Sequence, residues 1–375
     1  MMRILLTGGT GLIGGAVLHE ALSSRPDAEW VALVRATDAA ASRERLIARL
    51  SRFTDQGSAR RLLAPVTILP GDLTKADQLA HAALGGVSHV LHLAADTAWW
   101  GRQRVRRVNH DGTLALARLA RRLPRLGRLL HVSTAMICGA APPRLVEEEF
   151  YPRADVDHLV DYSRSKAETE MALAASYADL PTVVARPSIV VGHATLGAGP
   201  SGSILWVVRA ADRLRLVSCP LDGSIDIVPA DWTAQALLHL LAKPDLTHSL
   251  YHVSAGEGAR TRWSDLGRAF TRADGVPRQY HRLPAEDGGL LRQRFAAAFG
   301  LNDPVRLTMY RAMRAYYRFC ALNTTFANQR LLAEGIAPPP SLPDYLGTCL
   351  ANSTGIVEQF ADDLDMFLPA AADAA

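Results

Sequence analysis

Tyr162 and Lys166 stand four residues apart in the stretch Tyr162-Ser163-Arg164-Ser165-Lys166. On a helix that spacing puts a phenol and an ammonium on one face, where both can converge on one bound molecule. A phenol titrates near ~10 and a neighbouring ammonium favours its phenolate; a shift of about 3 units corresponds to roughly 4 kcal/mol of differential stabilisation. The pair is therefore a candidate acid/base device for work near neutrality. Its bland alternative is a solvated helix face on which the two residues happen to fall. Composition favours the device: lysine occurs only at Lys75, Lys166 and Lys243, and every other basic side chain of the 41 is arginine. A lysine retained here implies a need for a compact, rotatable donor rather than a planar fork.

Such a pair needs elements to aim it, and the chain begins with them. Residues 3 to 7 form an apolar strand that runs into Thr7-Gly8-Gly9-Thr10-Gly11-Leu12-Ile13-Gly14 and then an apolar helix. Glycines at 8, 11 and 14 permit a tight turn, close approach of backbone to a pyrophosphate, and close helix packing, with phosphate charge on the helix N-terminus. Gly8, Thr10, Gly11, Leu12, Ile13 and Gly14 are thus dinucleotide-binding candidates. A second strand, Trp30 to Val34, ends at Arg35, where arginine suits a 2′-phosphate and an acid would suit a free ribose hydroxyl. The expected cofactor is NADP(H), with Arg43 and Arg45 as possible assistants and Asp38 as the countersign.

Further strands at Val66–Leu69, Val87–Leu91, Leu129–Val132 and Leu250–Val253 deliver more candidates at their ends. Asp72, with Leu73, either receives the adenine amino group or caps the following turn. Ala94 and Ala95 are small enough for backbone to lie against a cofactor, and Asp96 follows them toward the substrate. Ser133 and Thr134 place hydroxyls where α/β sheets bind ligands, so either can donate to a substrate oxygen or satisfy a local backbone group. Trp99, Trp100, Met136 and Trp206 are candidate walls of a hydrophobic substrate site, or core. Asp231 is placed as the cap of a helix through Leu241.

The totals exclude several classes. A chain of 375 residues, 49% hydrophobic and 21% charged, is long enough for one large or two smaller domains. Its 41 basic and 37 acidic residues give +4 without a basic run, so nucleic acid is not an expected partner. The four cysteines are far apart and form no C-x-x-C pair, and the histidines lack ligand spacing, so no metal site or disulfide framework is expected. The N-terminus lacks a secretory h-region and no apolar run reaches membrane-spanning length, which fits a cytoplasmic protein.

The ordered set T-G-x-x-G-x-x-G, Asp72-Leu73, H-x-A-A, N-x-x-G-T, Ser133-Thr134, Y-x-x-x-K and Arg186-Pro187-Ser188 resembles the extended short-chain dehydrogenase/reductases, from residue 2 to about 255. A weaker echo runs from Phe326-Ala327-Asn328 through Gly335, Pro339, Ser341 and Leu342. The resemblance implies an α/β Rossmann-type doubly wound parallel sheet with a smaller, mainly helical C-terminal substrate domain. The expected division is 1–191 plus 225–254 for the cofactor and 192–224 plus 255–375 for the substrate. It also implies Tyr162 as proton donor, Lys166 as the ribose anchor that lowers the tyrosine pKa, and Pro187 and Ser188 beside the cofactor. Counting back five residues from Gly139 selects Thr134 as the hydroxyl that holds the substrate oxygen; Cys138 stands where the family usually has tyrosine.

Within that group, Leu33 to Ala36, Gly71 to Thr74, His131 to Ala135 and Ile225 to Asp231 are most similar to thioester reductases and fatty acyl-CoA reductases. The implied reaction is NADPH-dependent reduction of an acyl thioester, presented as a CoA ester or on a separate acyl carrier protein, to aldehyde or alcohol. A ketone reductase or secondary alcohol dehydrogenase acting on a hydrophobic substrate, and a non-catalytic NADP sensor, are the alternatives. A homodimer is left open. Between Leu290 and Leu322, aromatic residues alternate with arginines, either to line an acyl tunnel with a basic outer face or to pack an amphipathic helix on the core.

Overall fold

The computed structural model describes residues 2–24, 27–79, 82–149, 155–284 and 288–367. Seven parallel strands form its centre: β1 (Arg3–Thr7), β2 (Glu29–Val34), β3 (Thr67–Pro70), β4 (His89–His92), β5 (Arg128–Val132), β6 (Thr182–Pro187) and β7 (Leu250–Val253). Their order across the sheet is β7-β6-β5-β4-β1-β2-β3. Leu6 of β1 lies opposite Ala32 of β2 on one side and Leu91 of β4 on the other. The chain thus leaves β1 in one direction and returns on its far side, which makes the end of β1 a topological switch point, the crevice where such sheets hold ligands.

The strands read as apolar runs because both sheet faces are covered. Ile4, Leu6, Ala32, Leu91 and Leu130 point into a core shared with helices α1 (Leu12–Ser24) and α2 (Ala39–Leu50). Leu5, Val31, Leu33, Val90 and Leu129 point into the opposite core, closed by α3 (Gly112–Ala120) and the end of α4 (Asp161–Ser176). The sequence reading places six strands; the structure adds β6 between β5 and β7.

A third core lies beyond the carboxyl ends of the strands. It joins α5 (Leu205–Leu214) and α7 (Pro304–Ala321) to Trp263, Tyr345, Phe360 and Phe367, with Trp99 and Val160 reaching in from the sheet's loops. Helix α6 (Ala230–Ala242) goes instead to the first sheet face, through Leu237 and Leu240. Asp231 is not its cap: Pro229 holds that position, and the Asp231 carboxylate accepts from the backbone N–H of Ala194 at 3.0 Å. The late chain is stitched back by Thr325–Phe326, which runs parallel to Leu145–Val146, and by Asn328, which donates to Ser254 O at 2.8 Å. All four cysteines are free, and among the described residues no helix is long and apolar enough to cross a membrane.

Candidate active site

The glycine turn is sterically obligatory at two positions. Gly8 has φ of 80°, and a Cβ there would lie 2.5 Å from Ala94 N; a Cβ on Gly14 would lie 2.2 Å from Gly8 O. At Gly11 an added Cβ meets nothing closer than Gly8 O at 3.4 Å, so its bareness serves what approaches from outside the turn. The result is a backbone cradle at the N-terminus of α1, which fits a pyrophosphate. Beneath it, Ala94 N donates to Thr7 Oγ1 (3.2 Å), Thr7 Oγ1 meets His92 Nδ1 (2.7 Å), and His92 Nε2 meets Thr113 Oγ1 (2.8 Å). Thr113 in turn donates to Asn109 O at 2.5 Å, so the chain of donors closes with His92 neutral and protonated on Nε2. Burial, reinforced by Lys166, holds that imidazole down at about 3.

This cradle opens into a cleft of 1370 Å³ that runs across the carboxyl ends of the strands. Gly8, Thr10, Gly11, Leu12, Ile13, Gly14, Arg35, Asp72, Leu73, Ala94 and Ala95 all line it. At its outer end Arg35 is exposed, with Arg45, Arg49 and Arg107 on the same wall. Asp38 is occupied elsewhere: it caps α2 by accepting from Ala41 N at 2.8 Å. Arg43 is also removed, since it donates to Leu63 O and Val66 O at 2.8 and 3.2 Å. Asp72 accepts from both the N–H and the hydroxyl of Thr74 at 2.9 Å, so the capping role read from its position is realised while it still faces the cleft. Burial pushes its carboxyl up, but those two bonds, with Arg35 and Arg107 nearby, outweigh that and hold it below the usual range.

Halfway along, β5 and α4 bring Thr134, Tyr162 and Lys166 to the same cleft, together with Pro187 and Ser188 from the end of β6. Thr134 Oγ1 accepts from Met136 N at 3.2 Å, which leaves its proton free to donate; the Ser133 hydroxyl is buried without a partner. Lys166 is 1% exposed, and its Nζ donates to Val132 O at 2.9 Å. The carboxylate one turn along on the same face, Glu170, is taken by Arg186 at 2.6 Å. An ammonium therefore sits out of water with donors to spare, a costly arrangement that a stability argument does not explain. Burial lowers Lys166 to about 8, against an opposing pull from Glu170, and raises Tyr162 to about 12. Burial is the sole cause of the phenol's rise, with no lowering by Lys166 beside it, so Tyr162 holds its proton throughout the neutral range.

The far end of the cleft is aromatic. Trp99 and Met136 line it as expected, whereas Trp206 does not: it is fully buried at 0% exposure, edge-on to Phe360 and Tyr316 at 4.8 and 5.6 Å. Trp100 is exposed and also stands outside the lining. Asp96 lines the cleft, but its carboxylate is held by Ala98 N (3.0 Å) and Arg104 (2.8 Å), so it shapes the loop. Tyr316 and Phe319 of α7, from the aromatic run read either as an acyl tunnel or as helix packing, line the cleft; the residues that sequence reasoning missed include Asp363 and Met366, which no local signal marks. Among the described residues no group of three or more His, Cys, Asp or Glu side chains is placed to hold a metal.

With this geometry in view, the comparisons with known proteins are specific. The family model described as Male sterility protein, an NAD-binding family, matches residues 6–237. The chain belongs to that family. It is an oxidoreductase family of extended short-chain dehydrogenase/reductase type with a nucleotide-binding Rossmann fold. One relative is the non-canonical nonribosomal peptide synthetase FrzA of Cladobotryum sp, 29% identical over 271 residues that make up 67% of this chain and 26% of that protein. Another is the putative fatty acyl-CoA reductase CG8303 of Drosophila melanogaster, 24% identical over 295 residues, 66% of this chain and 54% of the relative. The chain therefore spans about a quarter of the first and about half of the second. Among solved structures, the terminal R domain of the myxalamid PKS-NRPS pathway superposes with a TM-score of 0.74 at 20% identity, covering 94% of this chain and 90% of that one.

Proposed function

We propose that this family member is an NADPH-dependent reductase of acyl thioesters. The observation that carries the reading is the buried ammonium of Lys166, whose carboxylate neighbour Glu170 is already engaged by Arg186, in one cleft with Tyr162, Thr134 and the glycine cradle. Gly8, Thr10, Gly11, Leu12, Ile13 and Gly14 would hold the pyrophosphate, Arg35 with Arg45 a 2′-phosphate, and Asp72, Leu73, Ala94, Ala95, Pro187 and Ser188 the rest of the dinucleotide. That cofactor, when bound, supplies hydride to the carbonyl carbon.

The protein's own groups serve the oxygen. Thr134 donates to it, and Tyr162, neutral because burial holds it at about 12, passes it a proton. The resulting hemithioacetal returns that proton to Tyr162 as its C–S bond breaks, giving an aldehyde and a thiolate that solvent protonates. Lys166, cationic below about 8, anchors a ribose with the N–H groups that Val132 leaves free. Relatives named as peptide synthetases and fatty acyl-CoA reductases support a carrier-bound or CoA thioester as the substrate. The exposed Arg311, Arg314 and Arg318 lie on the helix that also carries cleft-lining Tyr316 and Phe319, so an acidic carrier protein docked there would deliver its thioester to the aromatic end. The sheet with its two cores is the cofactor-binding part, and the third core, built around α5 and α7, is the substrate-binding part.

The test is NADPH oxidation against a panel of acyl-CoAs and ketones with free thiol measured alongside. Thiol released in step with oxidation is expected. Oxidation without thiol transfers the assignment to ketone reduction, and cofactor binding without turnover, indifferent to Tyr162→Phe, transfers it to a sensor.

A further inference from the structure

Buried tyrosines differ in how they use their hydroxyls. Tyr251 donates to Glu334 at 2.6 Å, Tyr280 to Asp212 at 2.7 Å, Tyr317 to Leu216 O at 2.8 Å and Tyr345 to Val191 O at 3.1 Å, and none of these lines the cleft. Tyr162 and Tyr316 do line it, and among the described residues neither hydroxyl has a hydrogen-bond partner. The Tyr316 oxygen is not sealed from solvent either, and on a residue only 6% exposed that opening is the cleft. Tyr162 has a task in the mechanism above. Tyr316 has none.

The Tyr316 ring is clamped. It lies 4.3 Å from Trp99, 5.6 Å from Trp206 and 5.9 Å from Phe367, and Trp206 and Phe367 are themselves buried. Its neighbour on α7, Tyr317, turns inward and spends its proton on a backbone carbonyl, so one helix presents one satisfied phenol and one open one. Burial, with Asp363 and Cys320 nearby, pushes the Tyr316 hydroxyl well above the usual phenol range, which keeps it a donor. In the empty cleft water can accept that proton. An acyl chain that fills the aromatic end expels the water; a plain hydrocarbon then leaves the donor unpaired, whereas a chain with an acceptor oxygen at that level satisfies it.

We propose that Tyr316 is a specificity-determining residue whose hydroxyl donates to a carbonyl oxygen carried within the acyl chain, so that the cleft favours chains with an internal carbonyl over plain hydrocarbon ones. The inference rests on the thioester reading for the chain that brings the carbonyl in, but not for the donor itself.

Two measurements separate these. The first compares kcat/KM for nonanoyl-CoA with that for chains of the same length in which a single amide steps along the chain; an amide carbonyl is a strong acceptor that takes no hydride itself. At the best amide position, Tyr316→Phe should lower the ratio of amide to nonanoyl by about three- to tenfold, the scale of one neutral hydrogen bond. Tyr317→Phe, which strands an internal acceptor, should lower the melting temperature and leave that ratio alone. A ratio unchanged by Tyr316→Phe at every position, including an equal loss for both kinds of chain, overturns the proposal. The second needs no turnover: N-butylbutanamide and butylbenzene are titrated against tryptophan fluorescence, for which Trp99 is the adjacent reporter, with melting temperature as the control for folding. The amide should bind the native protein and lose about three- to tenfold affinity in Tyr316→Phe, while butylbenzene should not discriminate. If none of the CoA esters is reduced, the reductase reading fails and this titration alone decides the donor; no binding of the amide by the native protein, or equal binding by both variants, overturns it.

Discussion

Lys166 and Arg186 are both 1% exposed and both meet helix α4, yet they have opposite surroundings. Every nitrogen of Arg186 has a partner inside the protein: it makes contacts of 3.1, 3.2 and 2.6 Å with Glu170 and donates to Glu149 O at 2.8 Å. Lys166, one turn earlier on the same helix, has a single bond to Val132 O and faces the cleft. The difference separates two uses of buried charge. A charge paired with its counter-charge inside the protein joins elements together, here α4 to β6. A charge left with donors facing a cavity is held for something that arrives, and its cost is tolerated because binding offsets it.

Breaking each side of this contrast should give different losses. The largest belongs to the phenol beside the open charge: Tyr162→Phe should lower turnover by about 10²- to 10⁴-fold, the range for a positioned proton donor, while its melting temperature stays put. Arg186→Met should do the reverse, costing about 3–5 kcal/mol of stability by denaturant melt, because it strands Glu170 as an unpaired buried carboxylate. Arg35→Ala should weaken NADPH by about tenfold, the scale of a charge-assisted bond, and leave NADH nearly untouched in direct binding titrations. Equal loss for both cofactors would remove the assignment to NADPH. The mildest test is pH. Since burial lowers Lys166 to about 8, kcat/KM for NADPH should be flat below neutrality and reach half that value near pH 8, falling further as the ammonium loses its proton. Tyr162, at about 12, should add no break in that range.

Legibility in the sequence followed how local each signal was. Both-face burial turns β1, β2, β4 and β5 into plain apolar runs, and the glycine turn announces itself because Gly8 and Gly14 admit no side chain. Helical spacing was enough to put Tyr162 and Lys166 on one face. For Trp206 the sequence leaves cleft wall and core equally open, because a tryptophan in an apolar helix reads alike whether it meets a cavity or Phe360; packing makes it core. The ion pair that occupies Asp96 comes from Arg104, eight residues on, and Asp363 joins the cleft lining some two hundred residues after Tyr162. Neither has a periodicity or motif to betray it. The rise of the phenol comes from desolvation alone, a quantity set by the third core packed against Tyr162 and invisible in the Y-x-x-x-K spacing.

Lys166→Met carries the account most directly, read as a thermal melt beside thioester-dependent NADPH oxidation on the same preparation. A melting temperature held or raised, with oxidation reduced by two orders of magnitude or more, is the result predicted for a charge kept for a ligand (about 10²-fold or greater). A melting temperature lowered as far as in Arg186→Met, with oxidation per folded molecule intact, would contradict it.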